Sequence, residues 1–271
     1  MRWRGFRPAN GWRGLLGEIA IIVAGVLIAL GAQQAVDNWR WDRDVAAGRE
    51  ALREDYKAIV TNARERKELD GCIRARLGEL AGMLDRDPDH TPGLQRFGSP
   101  PERPWASRSW DSLVATEVST HMSRDEMLSH ANIAATARTA EEKVVEEMRA
   151  WAHLYSLTGA RRPLASGEAA AIRQSLALAM YRLNLVRLTA PQLEREIMQT
   201  KLLTKADLAE IDENVARLRT GPNWQGNCAP VTRAAGGGVE APYDPAIQTD
   251  PLWQQRAAAQ AQTRARAASR P

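Results

Sequence analysis

Residues 15–36 read LLGEIAIIVAGVLIALGAQQAV, and no other stretch restricts so strongly what this chain can fold into. The strictly apolar centre, residues 19–32, would by itself suit a signal-peptide core or a buried helix. Taken as one helix, residues 15–36 extend roughly 33 Å at 1.5 Å per residue, enough to cross a bilayer. The flanks favour the bilayer. Trp3 and Trp12 precede the run, and Trp39 and Trp41 follow it, so four of the nine tryptophans bracket one apolar segment. Indole rings settle at the headgroup level, and Trp12, Trp39 and Trp41 are the expected interface residues.

Glu18 is the one acid inside the run. At a helix centre in lipid it would cost about 2.5–3.5 kcal/mol, but it falls in the first turn, near Arg13 and the positive end of the helix dipole. An interfacial, Arg-paired carboxylate is the simpler reading; a functional intramembrane acid is the alternative. Four arginines lie before the run (Arg2, Arg4, Arg7, Arg13) and three in the comparable window after it (Arg40, Arg43, Arg49). The positive-inside rule therefore favours a cytoplasmic N-terminus and a translocated C-terminal domain. A secretory signal cleaved near Ala29-Leu30-Gly31 or Leu30-Gly31-Ala32 is the competing reading. Against it, Gln33, Gln34 and Asp37 continue in helix-compatible fashion without a turn.

Charge argues against a nucleic-acid partner. The net +4 is accounted for by the four leader arginines, so residues 15–271 are neutral overall and offer no face that could track phosphates.

The residues Glu18, Gly25, Ala29, Leu30, Asn38 and Trp39, set in EIAIIVAGVLIAL and VDNW, resemble the N-terminal signature of an uncharacterised family of short bacterial single-pass membrane proteins. The resemblance is limited to about residues 14–55. It implies a membrane-anchored helical protein and carries no activity with it.

Beyond the run the chain reads as all-α. Leu52, Tyr56, Ile59 and Ala63 are spaced 4, 3, 4, as are Ile73, Leu77, Leu80 and Leu84, and both sets share one 3.5-residue register broken by Arg66 and Asp70. One long helix over 37–85 follows, with a possible kink at Gly71. A coiled-coil seam and a bundle helix give the same pattern; the two polar seam positions favour the bundle. DPDHTPGLQRFGSPPERP, at 87–104, reads as an exposed loop. A short helical piece around Trp110 to Val118 precedes the capping box Ser123-x-x-Glu126, which opens a helix to about Leu157 with Met127, Ile133, Val144, Met148 and Trp151 as core candidates. Ser166 with Glu168 begins the next, through Ala171, Leu176, Met180, Leu183 and Leu188, and Pro191 restarts or kinks it. Thr204-x-x-Asp207 opens a last helix that Gly221-Pro222 closes. No strand-length alternation is present. The expected organisation is an Arg-rich cytoplasmic stub (1–14), a transmembrane helix (15–36), a periplasmic helical domain (37–220) and a Gly/Pro/Ala-rich tail (221–271). Residues 229–271 hold too few large apolar groups for a core, although an Ala-rich helix could form at 252–268.

The chemistry-bearing residues are sparse. Histidines stand at 90, 121, 130 and 153. Di-iron bundles need a carboxylate three residues before a His, whereas Glu117–His121 and Glu126–His130 are four apart. No zinc spacing, phosphate loop or nucleophile elbow is present. Surface or capping histidines are expected, with no metal, no cofactor and no catalytic residue assigned. Glu141, Glu142, Glu146 and Glu147, with Lys143 and Arg149, read as a solvated helix face rather than a docking patch. Gly25 with Ala29, and Ala20 with Ala24, would permit close packing of helices in the membrane. Cys72 and Cys228 are the only cysteines; in an oxidising periplasm they pair, and in the cytosol they stay as two thiols.

The functional expectation is a non-enzymatic interaction or scaffolding module in the bacterial inner membrane. Its partners would be the lipid bilayer, an envelope protein or a second copy in a homo-oligomer. The alternative is a sensor-type ligand-binding domain; the short N-terminal stub has no room for an output domain, so it would signal through a membrane partner.

Overall fold

The computed structural model of the chain describes residues 11–229 and 231–233. The first ten residues, Trp3 among them, and the tail beyond 233, including the Ala-rich stretch at 252–268, lie outside the described residues.

No proline occurs between residues 9 and 87, so nothing in the backbone chemistry interrupts a helix there. Helix α1 (Gly11–Arg86) accordingly runs unbroken for 76 residues, merging the apolar run with the first helix of the bundle and passing through Gly71. It stops at Asp87, because the following Pro88 disfavours helical backbone at that position; the Asp87 N–H still donates to the Met83 carbonyl at 3.1 Å. Exposure changes sharply along α1. Every residue from 16 to 36 is exposed, whereas Val45, Leu52, Tyr56, Ile59 and Ala63, then Ile73, Leu77, Leu80 and Leu84, are buried. Between the two sets Arg66 is buried as well, and Leu69 takes the apolar place beside the partly exposed Asp70.

The other elements are α2 (Arg108–Ala115), α3 (Arg124–Leu154), α4 (Ser166–Gln199), α5 (Lys205–Leu218), α6 (Pro222–Cys228) and the short strands β1 (Leu94–Arg96) and β2 (Thr232–Arg233). The all-α reading holds. Two additions correct it: β1 and β2 pair antiparallel, and α6 follows α5, which is therefore not the last helix. Since β2 lies within the stretch read as tail, ordered chain continues past residue 229.

The chain divides into two compact units. The first holds residues up to 67, 103–143 and 186–217. Here α1 and α3 run parallel, since Arg49 meets Glu126 and Tyr56 meets His130. Helix α5 is also parallel to α1, with Arg53 on Asp207, Lys57 on Glu210 and Arg64 on Asp212. The short connection from α4 to α5 makes those two antiparallel neighbours. Gly48 of α1 sits so close to α2 that a Cβ there would lie 2.6 Å from a methyl of Leu113.

Both sequence-read capping boxes form, to different extents. At α5 the Asp207 carboxylate accepts from the Thr204 N–H and hydroxyl (2.7 Å each), and the Asp207 N–H donates back to Thr204 Oγ1 (3.2 Å). At α3 the Glu126 N–H donates to Ser123 Oγ at 3.3 Å, but the Glu126 side chain is taken by Arg49. Helix α2 borrows a cap from α1: Asp55 accepts from the Ser109 N–H and the Ser107 hydroxyl.

The second unit holds 68–102, 144–185 and residues from 218 onward. Its core is Leu69, Ile73, Leu77, Leu80 and Leu84 of α1 against Trp151 and Leu154 of α3, Ile172, Leu176, Ala179 and Leu183 of α4, and Leu94 and Phe97 of the connection. The expectation of an exposed loop at 87–104 is corrected by that list. Leu94 is wholly buried, Phe97 stacks on Tyr155 at 5.0 Å, and Thr91 donates its N–H to the Arg162 carbonyl (2.8 Å) and accepts from the Arg162 N–H at its hydroxyl (3.0 Å). Apolar burial of this kind contributes roughly 1.5–3 kcal/mol per large side chain, which is what holds the connection down. Helix α4 keeps Pro191 within it rather than restarting. Of its expected core residues Leu176 and Leu183 are buried, while Ala171 and Leu188 are exposed; Ile172, Ala179, Val186, Ala190, Leu193 and Ile197 complete the inward face.

Candidate functional site

Two clusters gather most of the chemistry-bearing side chains. One follows the exposed run of α1 in the first unit; the other surrounds the cysteines in the second.

Past residue 36, α1 turns a different side chain outward at each step of about 100°. Trp39 and Trp41 are thus about 200° apart and cannot share a face. Trp39 is 62% exposed, with the Arg43 guanidinium 5.3 Å from its ring centroid. Trp41 is half-buried and stacks on His121 at 3.8 Å, from the 3-10 turn Val118–His121. Of the expected interface tryptophans, then, Trp39 is free on the outer side, Trp41 is engaged by the folded unit, and Trp12 lies in α1 with its side chain outside the described residues. Glu18 is exposed on α1, as are Ala20, Ala24, Gly25 and Ala29; nothing lies within 4 Å of a Cβ built on Gly25.

Two turns further along, Arg49 grips Glu126 in two-point fashion, Nε to Oε1 at 2.6 Å and Nη2 to Oε2 at 2.8 Å. That bond, ahead of all other influences, holds the Glu126 carboxyl below its ordinary range. One helical turn on, His130 is only 2% exposed, which corrects the expectation of a surface histidine. Its Nδ1 lies 2.8 Å from the Tyr56 hydroxyl, the Trp110 ring is 6.0 Å away, and Nε2 is buried with no hydrogen-bond partner, 3.8 Å from Glu126 Oε1. Burial lowers the readiness of this imidazole to take a proton. The same cause pushes the Tyr56 phenol up. The remaining histidines fit the surface reading: His90 contacts Asp87 at 3.0 Å, and His121 and His153 are exposed.

The chain matches no protein-family model, no curated protein and no solved structure.

In the second cluster Cys72 and Cys228 are joined, with their Cα atoms 4.8 Å apart. The bond fastens the end of α6 to α1 about four turns before that helix ends. Arg76, one turn beyond Cys72 and 2% exposed, directs Nη2 at the carbonyls of Asn227 (3.3 Å) and Ala229. A guanidinium at the C-terminal carbonyls of a short helix satisfies acceptors that the helix itself leaves open. Burial lowers the Arg76 pKa, and Glu79, 3.4 Å away, opposes that. Asn227 donates to the Ser99 carbonyl at 2.8 Å, and Gly98 passes so near Gly226 that a Cβ on it would lie 2.2 Å from backbone atoms.

The acidic group on α3 is not a solvated face. Glu141 accepts from the backbone N–H groups of Trp105 and Ala106, Glu146 pairs with Arg182 at 2.7 Å, and Glu147 is wholly buried; only Glu142 is left exposed. These acids organise the connection and α4. Among the described residues no three His, Cys, Asp or Glu side chains converge as a metal site would require.

Proposed function

We propose that the protein is a single-pass inner-membrane protein with a cytoplasmic N-terminus, a periplasmic helical body and a non-enzymatic role as an interaction or scaffolding module. The observation that carries this reading is the change of exposure along one continuous helix. Residues 16–36 are exposed and apolar, in the one helix among the described residues long and apolar enough to cross a membrane, and the same helix enters a packed, ion-paired bundle at Val45. In water an exposed apolar stretch of that size is a liability, whereas lipid removes the penalty. The disulfide supports an oxidising compartment for the body, and the resemblance of residues 14–55 to bacterial single-pass proteins supports the anchor. Helices tied by long-range ion pairs in the first unit and a disulfide-tethered C-terminal segment in the second suit the display of packed surfaces at the membrane.

Topology is the first test. A reporter active only in the periplasm, fused after Arg233, is expected to be active, with the protein retained in the membrane fraction and its first 13 residues intact. A soluble form beginning at Ala32 or Gln33 refutes the anchor. The second test is photo-crosslinking in intact cells from exposed positions of α4 such as Tyr181 and Leu188. One reproducible envelope protein, or the chain itself, is expected, and loss of that product on substituting the neighbouring surface residues marks it as specific. Crosslinks to lipid alone refute the scaffolding role.

A further inference from the structure

The buried histidine has no role in an interaction surface, yet its setting is unusual. His130 of α3 is 2% exposed and holds one hydrogen bond, to Tyr56 of α1. In the neutral tautomer with the proton on Nε2, Nδ1 accepts from the Tyr56 hydroxyl and Nε2–H faces no acceptor at bonding distance. The nearest carboxylate oxygen is Glu126 Oε1, 3.8 Å away, and that same atom is the acceptor of Arg49 Nε at 2.6 Å. The charged groups acting on the ring are therefore Glu126 from α3 and Arg49 from α1. Asp55, adjacent to Tyr56, is occupied with Ser107 and Ser109 at the start of α2, and Asp111 of α2 is paired with Arg138.

We propose that His130, Tyr56 and the Arg49–Glu126 pair form an acid-sensitive tie between α1 and α3. A proton taken up by the imidazole sits on Nδ1, so the ring becomes a donor on both sides. Tyr56 then loses its acceptor and must receive a bond instead, leaving its own O–H without a partner in a buried place. On the other side Nε2–H draws Glu126 Oε1 toward the ring and away from Arg49, which is the ion pair joining the two helices. One proton thus unsettles both α1–α3 contacts, one polar and one ionic. The direction follows from burial. An imidazole that resists protonation when folded, and takes a proton near pH 6.5 when released, favours the open form increasingly as pH falls below that value. At pH 5.5 a ring kept neutral in the closed form raises the open population up to about tenfold. Histidine is the side chain suited to this range.

The test uses the full-length protein in detergent micelles, labelled at the histidine Cε1 position. Four histidine resonances are followed between pH 8 and pH 4.5, and His130 is identified by its absence in His130→Gln. One ring is expected to stay neutral well below the ordinary histidine value. Amide exchange, corrected for the intrinsic effect of pH, is expected to rise several-fold at pH 5.5 over residues 45–60 and 124–134 and to stay constant over 72–86. In His130→Gln, whose amide oxygen can still accept from Tyr56, the rise should vanish. Should that variant fail to fold, Glu126→Gln serves: without the carboxylate His130 is expected to titrate lower still, while the acid response keeps its onset near the ordinary histidine value and continues to lower pH. Ordinary titration of all four histidines, or an undiminished acid response in His130→Gln, overturns the proposal.

Discussion

Asp207 offers the most quantitative test of how the bundle is held. Its carboxylate is 5% exposed, closes the capping box of α5, receives Arg53 Nη1 at 2.8 and 2.9 Å and lies 3.8 Å from Lys57. The Thr204 backbone N–H, with Thr204 Oγ1 and Arg53 behind it, holds the acid down at about 2 from an ordinary 3.8. A shift of nearly two units corresponds to about 2.5 kcal/mol favouring the folded state. Arg53 keeps about a quarter of its side chain in water, and screening there reduces the working figure to about 1.5–2.5 kcal/mol. The folded-state value is depressed, so the contribution is complete above about pH 5 and is lost as pH falls through 3.8 toward 2. The perturbation is Asp207→Asn, which keeps the shape and can still accept from Thr204 but carries no charge. Denaturant unfolding of the full-length protein in micelles, followed by tryptophan fluorescence, gives both stabilities across pH. The variant is expected to be less stable by the working figure at pH 6, and the two curves should converge by about pH 2. Other carboxylates titrate in both proteins, so the difference isolates position 207. Curves that stay parallel from pH 6 to pH 2.5 would refute the reasoning.

Three further outcomes follow from the second unit. Gly98→Ala places a methyl 2.2 Å from backbone atoms of Gly226; overpacking against a rigid neighbour costs about 1–3 kcal/mol, read as a lower Tm. Gly78→Ala, on an exposed turn of α1 with nothing within 4 Å of its Cβ, should gain about 0.5–1 kcal/mol in the same assay. Mass spectrometry of protein taken from thiol-blocked cells should show the Cys72 and Cys228 peptides linked within one chain, and reduction should cost about 2–4 kcal/mol. Free alkylated cysteines in most molecules would argue for a cytosolic body.

What the sequence discloses and what it conceals divide by range. The seam from Leu52 to Leu84 is legible because a buried helical face repeats every three to four residues, a purely local signal. The capping box at Thr204 and Asp207 is legible for the same reason, as is the helix stop at Pro88. Helix α4 is harder. Leu176, Leu178, Leu183, Leu185, Val186 and Leu188 surround much of its circumference, so the pattern names more than one possible inward face, and only packing selects Val186 over Leu188. The connection at 87–104 is concealed because its anchors, Leu94 and Phe97, have no period. What buries them comes from α3 and α4, distant in sequence, as well as from the end of α1.

The same division applies to the site residues. Two cysteines in a chain read as periplasmic suggest a bond by count alone, and Cys72 and Cys228 are joined. Nothing local distinguishes Glu141, which binds backbone N–H groups some 35 residues earlier, from exposed Glu142. Nor does anything mark Arg76, a seam neighbour by number that the fold uses to hold α6. His130 is the sharpest case. Its spacing from Ile133 and Ala137 places it on the apolar stripe of α3, a position that predicts burial but not a partner. A polar group on such a stripe is tolerated only where another element supplies a hydrogen bond, and Tyr56 supplies one, to a single ring nitrogen. The other nitrogen, facing a carboxylate already bound by Arg49, is where the sequence rule stops and the fold carries a choice between two proton states. A histidine on an apolar stripe is therefore best read as a question about its second nitrogen, and here the answer lies in the pair that joins α1 to α3.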